Sequence, residues 1–165
     1  MGKRRIILVS MIAGMIWALA IIWLTQIANL PFIMPQLALP CAFIAPGIVL
    51  IAMTGRLAAR RFFDDALIDG ADFVAGSPAW IDQRVLSNTV EQLVLALVIW
   101  PFVALSLGGA VVLVMGFAFG IARILFWIGY HISPPMRGFG FAATFYPTVL
   151  AAFWSVLAWV LWGTR

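Results

Sequence analysis

The chain has 165 residues, of which 65% are hydrophobic and only 10% are charged, and its mean hydropathy is +1.11. This composition excludes an ordinary soluble domain, because too few polar side chains are present to cover a surface in water. The formal charge of +4 comes from ten Lys and Arg against six Asp and Glu, and no basic run is long enough to form a nucleic-acid surface. We therefore predict an all-α integral membrane bundle in contact with lipid and not with nucleic acid.

Two apolar runs open the chain. The first, residues 6–24, follows a basic stretch at residues 3–5. This order resembles a secretory signal peptide, but the run is too long and lacks a small-x-small cleavage site, so an uncleaved helix is predicted. A second span is predicted over about residues 37–60, and Pro46 with Gly47 is expected to kink it.

A polar segment, residues 54–84, carries most of the charges and is predicted to be the main aqueous loop. Ser77 followed by Pro78 is typical of an N-cap and a first-turn proline, which predicts a third helix that runs to about Ser106. The sequence contains no internal repeat or low-complexity segment that would suggest a different division of the chain.

Two more helices follow. Gly108 and Gly109 are expected to end the third helix, and a fourth runs from Ala110 to near Tyr130. A second Ser-Pro pair, at residues 133–134, then starts a fifth helix that extends to about residue 162, with Pro147 expected to bend it. Five spans are therefore predicted.

The basic residues set an orientation for these spans, since Lys and Arg accumulate on the cytoplasmic side. Residues 3–5, 56–61 and 131–137 are basic, whereas residues 25–36 and the turn at residues 108–109 carry no charge. The alternation predicts a cytoplasmic N-terminus and a C-terminus on the opposite side of the membrane. Tryptophans near the predicted span ends, Trp100 among them, are expected to anchor the helices at the interface.

A polar stripe opens the third helix. Arg84, Asn88 and Glu91 are spaced i, i+4 and i+7, which places them within an arc of about 60° on a helix. Glu91 is the only glutamate in the chain, and a carboxylate at the entrance to an apolar run is costly unless a neighbour pairs with it. We therefore expect Glu91 to pair with an arginine, either Arg84 or Arg123, and Asn88 to bond across helices.

Further polar residues fall at the same end of the bundle. Arg123 and Tyr130 share one face of the fourth helix, and Arg137 lies in the first turn of the fifth. Unpaired guanidiniums there could bind a carboxylate ligand, and their field would lower the pKa of a thiol beside them. The alternative remains open that these residues only join helices or extend to lipid phosphate.

Two other residues attract chemical interest but are given structural interpretations. His131 has no Cys, His or acid at metal-ligand spacing and is predicted to be a solvated turn residue. Cys41, the single cysteine, is predicted to be a small core residue. No metal site is predicted.

Residues 38–162 resemble the MAPEG family, the membrane-associated proteins in eicosanoid and glutathione metabolism. The resemblance rests on Arg84-x3-Asn88-x2-Glu91 at the start of one span, Arg123-x6-Tyr130 at the end of the next, and Arg137 seven residues later. The run at residues 59–62 is similar to the basic end of the family's first helix. The family has four helices, so this chain would carry an additional N-terminal transmembrane helix with its linker, residues 1–36, before a four-helix domain at residues 37–165.

The resemblance also implies a homotrimer that binds glutathione as a co-substrate between subunits. Asn88 and Glu91 would contact the peptide-like part of glutathione, and Tyr130 its cysteinyl region. The three arginines Arg60, Arg84 and Arg123 would contact its carboxylates or balance the charge of the site. Arg137 would be the catalytic residue that stabilises the thiolate. Small residues that permit close helix approach, Gly109 and Gly116 among them, are expected to support the trimer.

Two functions compete on this basis. The first is a membrane-bound glutathione-dependent transferase or peroxidase that acts on lipophilic electrophiles. The second is a non-catalytic lipid-binding or helper membrane protein, since the family also contains such members. A small channel or transporter subunit is a third and weaker interpretation, because glycine-broken helices are not found in corresponding halves of the chain.

Reporter fusions provide a direct measurement of the predicted topology. A reporter fused after Arg165 should report the side opposite the cytoplasm, and one inserted between residues 63 and 77 should report the cytoplasm, because the basic segments alternate in that way. A cytoplasmic signal from the C-terminal fusion would mean that the first helix does not span or that a helix break is misplaced.

Overall fold

The computed structural model describes residues 3–28 and 30–162, and within them the protein is all-helical. Its six helices are α1 (Lys3–Ile27), α2 (Pro35–Ala42), α3 (Ile44–Phe62), α4 (Pro78–Leu107), α5 (Gly109–Ile132) and α6 (Pro134–Trp162). Because α2 and α3 together form one span, the described residues contain five stretches long and apolar enough to cross a membrane. The predicted all-α bundle of five spans is confirmed.

The ends of the chain, residues 1–2 and 163–165, lie outside the described residues, and the orientation of the termini stays a prediction. The loop between α3 and α4 covers residues 63–77 and is shorter than the predicted loop at residues 54–84. The difference arises because the charged residues at both ends of that segment are helical. These charged side chains therefore lie on the end of α3 and on the start of α4, next to the loop.

Capping residues place the helix starts where the sequence predicts them. The Ser77 hydroxyl accepts a hydrogen bond from the Trp80 N–H at 3.2 Å, with Pro78 in the first turn of α4. Gly108 ends α4 with a φ of 99°, a conformation that favours glycine. The one-residue break at Gly108 lets α5 return antiparallel to α4.

The kink in the second span lies at Phe43, between α2 and α3. Pro46 has no N–H to donate to the carbonyl of Ala42 four residues earlier, so one bond of the helical ladder is lost. The Phe43 N–H is shared between the carbonyls of Leu39 and Pro40, both at 3.3 Å. The helix is therefore interrupted where a distortion is predicted, three residues before Pro46.

Helix α5 is the centre of the bundle and contacts all five other helices. Its glycines make this possible, because a Cβ at Gly116 would overlap the carbonyl of Ala42, and one at Gly109 would overlap the carbonyl of Ile33. Both glycines serve packing within the chain. For these two glycines the alternative to subunit packing, ordinary packing within the chain, therefore applies, because their faces are already occupied by α2 and the segment before it.

The N-terminal helix α1 is an integral part of the same bundle. It packs mainly on α6 and also contacts α5. Small residues again set the distance, since Gly14 lies against Ala142 and Gly138 lies against Ser10. The additional helix thus covers one side of α6 instead of standing apart from the other four spans.

Two side chains differ from their predicted environments. Trp100 is buried and not interfacial; its indole N–H donates to the Thr148 hydroxyl at 3.2 Å, and its ring stacks on Phe43 with centroids 5.1 Å apart. Cys41 is exposed on α2, so the prediction of a core position is wrong. The reason is rotational: α2 turns its neighbours Ala38 and Ala42 toward α5.

The contact at Gly116 predicts a specific loss of stability. Gly116→Ala should lower the free energy of unfolding by about 1–3 kcal/mol, because the added methyl group must displace the backbone of α2. Gly55→Ala is the matched control, since a Cβ there meets no atom within 4 Å and alanine is favoured over glycine in a helix. Thermal unfolding in mild detergent measures both. Equal melting temperatures for the two variants would contradict the close packing of α2 on α5.

Candidate functional site

Two polar clusters lie at one end of the bundle, where α3 and α5 end and α4 and α6 begin; we call it the loop end. The Arg123 cluster consists of Asn88, Glu91, Arg123 and Thr144. The Asp82 cluster consists of Arg56, Arg60, Asp82, Trp127 and His131. Both are built from side chains of α4 and α5 with one further helix, and we describe them in turn.

The Arg123 cluster joins three helices by a chain of hydrogen bonds. The Arg123 guanidinium on α5 donates from Nη1 to the Asn88 amide oxygen on α4 at 2.9 Å, and from Nη2 to the Thr144 hydroxyl on α6. The Asn88 amide nitrogen in turn donates to the Glu91 carboxylate at 3.3 Å. Asn88 therefore links the buried Arg123 guanidinium to the exposed Glu91 carboxylate. The predicted bond of Asn88 across helices is confirmed.

Arg123 itself has no exposed surface in the single chain. Its guanidinium carbon lies 4.5 Å from the centroid of the Phe126 ring and 5.5 Å from that of Phe119, and such ring faces attract a cation. Within the described residues, no carboxylate lies within salt-bridge distance of Arg123, and its Nε has no hydrogen-bond partner. Arg123 therefore has no directly paired anion, and the one carboxylate of the cluster, Glu91, is linked to it only through Asn88.

A row of two aromatic rings leads outward from Arg123 to a second guanidinium. The Phe126 ring packs edge-on against the Tyr130 ring with centroids 5.0 Å apart, and the Arg137 guanidinium lies 5.0 Å from the centroid of Tyr130. The start of α6 can come this close because Gly129 lies directly against the backbone of Arg137. Tyr130 and Arg137, predicted separately, are thus neighbours, and Arg137 is exposed.

Two of the expected pairings are different in the structure. Within the described residues Glu91 forms no salt bridge, and its carboxylate accepts a hydrogen bond from the Asn88 amide. The expectation that it pairs with Arg84 or Arg123 is therefore wrong. Arg84 stacks instead on the Trp80 ring at 4.1 Å. Both Arg84 and Glu91 are exposed, because the stripe they share faces away from the bundle, so their charges are open to a ligand or a second chain.

The Asp82 cluster surrounds a carboxylate whose side chain is only 2% exposed. Oδ2 accepts a hydrogen bond from the Arg56 Nε at 2.8 Å, and Oδ1 accepts one from the Trp127 indole N–H at 2.7 Å. The Arg60 Nε lies 3.1 Å from Oδ2 but is not aligned for a hydrogen bond, so this contact is an ion pair. Asp82 thereby ties the end of α3 and the end of α5 to the start of α4.

His131 belongs to this cluster and is part of a helix, not of a turn, although the residue is exposed as predicted. It lies in the last turn of α5, and its Nε2 is 2.8 Å from the Asp82 Oδ1. Because an ionised carboxylate only accepts hydrogen bonds, Nε2 must carry a proton. The physical reason for the difference is that α5 continues two residues beyond its predicted end and turns His131 toward α4.

Sequence reasoning missed Asp82, Trp127 and Thr144. The sequence does carry a signal for the cluster around Asp82. Arg56 with Arg60, and Trp127 with His131, are i, i+4 pairs at helix ends, and the members of such a pair share a helix face. Thr144 and Thr148 form a similar polar pair on the apolar α6. Within the described residues, no group of three or more His, Cys, Asp and Glu side chains could hold a metal ion.

The chain was compared with known proteins. The model of the MAPEG family matches residues 37–157, well over half of the chain and all residues of both clusters, whereas α1 lies outside the match. No curated protein and no solved structure shows a significant match.

The Asp82 cluster leads to a stability prediction. Asp82→Asn keeps the size of the side chain but removes the charge that two guanidiniums face, so it should lower the free energy of unfolding by about 1–3 kcal/mol. The figure is at the lower end for a buried pair because Arg56 and Arg60 are 48% and 30% exposed and water screens them. Thermal unfolding in detergent is the measurement. Asp65→Asn, the same change in the exposed loop, should have almost no effect, and equal losses would show that the cluster does not stabilise the fold.

Proposed function

The chain belongs to the MAPEG family, and from this premise we propose that it is a membrane-bound glutathione-dependent transferase or peroxidase acting on lipophilic electrophiles. Membership supports a glutathione-related or eicosanoid-related membrane function at the level of the family. The observation that carries the finer proposal is the connected row from Glu91 through Asn88, Arg123 and the aromatic rings to Arg137. It offers one free carboxylate and one free guanidinium at the same end of the bundle.

The exposed charges suit the two ends of glutathione, which carries an ammonium group and two carboxylates. The Glu91 carboxylate would accept from the ammonium group, and Asn88, already oriented by Arg123, would hold the adjacent peptide-like part. Arg84 would bind a carboxylate. Because Arg123 is fully buried, we assign it to the charge balance of the site and not to direct contact.

Arg60 and Tyr130 have different standing within the same proposal. Tyr130 lies between Phe126 and Arg137 and would contact the cysteinyl region of glutathione. Arg60 faces the Asp82 carboxylate, so its contribution to glutathione carboxylates would come only from the part of its guanidinium that is not engaged there. We therefore give it the charge-balancing role that Arg123 also has.

The chemical step requires a thiolate. A free thiol has a pKa of about 8.5, and nearby cations lower it. The Arg137 guanidinium, in the first turn of α6, adds to the positive field of the helix N-terminus. The thiolate sulfur would form a bond to the electrophilic carbon while the leaving group departs with its electron pair. With a hydroperoxide, two glutathione molecules would be oxidised to the disulfide while the O–O bond is reduced to an alcohol and water.

A homotrimer is part of the proposal, and α4 supplies the support for it. Residues at alternating spacings of three and four along α4 are all exposed in the single chain, namely Arg84, Ser87, Glu91, Val94, Val98, Pro101 and Leu105. Such a seam is typical of a helix that packs on another helix. A second copy would cover it and would remove Glu91 from lipid, where an unpaired carboxylate is costly. The glutathione sites would then lie between subunits.

The runner-up is a non-catalytic lipid-binding or helper protein. The observation that favours it is that Arg137 is exposed near a helix end, where an arginine can extend to a lipid phosphate without activating any thiol. The two functions differ in what the loss of Arg137 should do.

Arg137→Ala should lower the rate of glutathione conjugation to a model electrophile by roughly 10- to 1000-fold, the scale for losing one preorganised stabiliser of charge. Binding should weaken less, because Arg84, Asn88 and Glu91 still hold the tripeptide. Conjugation rates and the ultraviolet absorbance of the bound thiolate measure the two effects separately. Arg5→Ala, on α1 outside the family match, is the charge-matched control and should change neither.

Glu91→Gln should show the opposite division: glutathione affinity should fall more than thiolate formation, because the carboxylate is placed for the ammonium group and not for the sulfur. Calorimetric titration with glutathione provides the affinity. If Arg137→Ala leaves both thiolate formation and turnover unchanged, Arg137 is a lipid anchor and the helper-protein function replaces the enzyme.

A further inference from the structure

An open groove of about 400 Å³ lies between the end of α3 and the last turns of α5. Three isoleucines of α5, Ile124, Ile128 and Ile132, form its exposed apolar side. Arg56, Trp127 and His131 form its polar side. The groove thus has an apolar side next to a cationic rim, and it lies near the loop end.

The rim has hydrogen-bond donors to spare. Arg56 uses its Nε for Asp82 and makes no hydrogen bond to the described residues through its two Nη groups, and 48% of its side chain is exposed. The Asp82 cluster behind the rim also carries excess charge, since two guanidiniums, those of Arg56 on the rim and of Arg60, face the single carboxylate of Asp82. An anion with several acceptor oxygens, such as a phosphate, complements both features.

The orientation of α5 separates this groove from the Arg123 cluster. On a helix with about 100° per residue, Ile124, Ile128 and His131 lie on average about 100° around the axis from Arg123 and more than that from Phe126 and Tyr130. The groove therefore opens on a different side of α5. A ligand in the groove would therefore lie apart from the proposed glutathione site.

We propose that this groove binds one anionic phospholipid, with its phosphate on the Arg56 Nη groups and an acyl chain along Ile124 and Ile128. The Trp127 ring lies 5.6 Å from the Arg56 guanidinium carbon and would contact the glycerol region of the bound lipid, since indole rings are favoured at membrane interfaces. The basic residues predict that this end faces the cytoplasmic leaflet, which is rich in anionic lipid.

The Asp82 carboxylate gives the site its geometry. By accepting a hydrogen bond from the Arg56 Nε, it restricts the guanidinium and leaves both Nη groups without a hydrogen-bond partner among the described residues. A fixed guanidinium edge can bind two phosphate oxygens at once, which a lysine cannot do. The lipid would in turn offset the excess positive charge of the cluster.

Native mass spectrometry of the full chain in mild detergent can test this, with titration of a phosphatidylglycerol and of a phosphatidylcholine that have the same acyl chains. The protein should retain phosphatidylglycerol more tightly. Arg56→Gln should reduce that affinity by about five-fold or more, the equivalent of one cationic side chain near an anionic surface, and should leave phosphatidylcholine binding unchanged. Arg56→Lys should retain part of the preference.

Arg61→Gln is the matched control: it removes the same charge from the same helix, but Arg61 bonds to the Ala71 carbonyl and stacks on Phe73, away from the groove. It should leave the lipid preference intact. Ile128→Trp fills the groove without changing the charge and should also weaken phosphatidylglycerol binding. Melting temperatures check that the variants fold, which is expected for Arg56→Gln because Asp82 keeps three other partners.

Four results would each overturn the proposal. The first is equal affinity for the two lipids. The second is an equal loss with Arg61→Gln, which would mean a general attraction to the basic end. The third is displacement of the lipid by millimolar inorganic phosphate with no effect of Ile128→Trp, which would mean recognition of a free anion. The fourth is displacement by glutathione together with weaker glutathione binding in Arg56→Gln, which would make the groove part of the glutathione site.

Discussion

The arrangement of the helices at the loop end depends on one constraint, which is that a charged group buried in an apolar bundle needs polar partners. A buried carboxylate or guanidinium in such surroundings is stable only with partners from the protein itself. Asp82 finds two arginines, an indole and an imidazole, and Arg123 finds an amide, a hydroxyl and two ring faces. Because these partners come from α3, α4, α5 and α6, meeting the constraint also fixes how the four helix ends lie against one another.

Close packing by small residues supplies the other half of that arrangement. Helix α5 can contact every other helix because its glycines admit neighbouring backbones at Ala42 and Arg137. The carbonyl of Ala42, which has no helical donor because residue 46 is proline, lies against Gly116. The unbonded carbonyl at the end of α2 therefore packs against the glycine of α5, which has no side chain to keep it away. The start of α6, with Arg137, is held beside Tyr130 by the same means.

Burial divides the charged residues into two groups with different uses. Asp82 and Arg123 are inaccessible and act on their neighbours, whereas Arg56, Arg84, Glu91 and Arg137 present charge at the surface of the single chain. The exposed charges lie on different sides of the bundle, with Arg56 in the groove beside α5 and Glu91 on the exposed face of α4. The proposed glutathione site and the proposed phospholipid site would therefore not overlap.

The sequence by itself determined the five spans, the kink near Pro46, the helix starts at Pro78 and Pro134, and the family, because span length, prolines, caps and spaced polar residues act over a few turns of one helix. It also indicated that Asn88 bonds across helices. Only the tertiary structure decided that His131 turns inward to Asp82, that Arg84 stacks on Trp80 instead of pairing with Glu91, and that Gly109 and Gly116 face α2 and the segment before it. Those outcomes depend on the rotation of each helix about its axis and on which residues of distant helices meet, and the spacing of residues along one helix does not fix either.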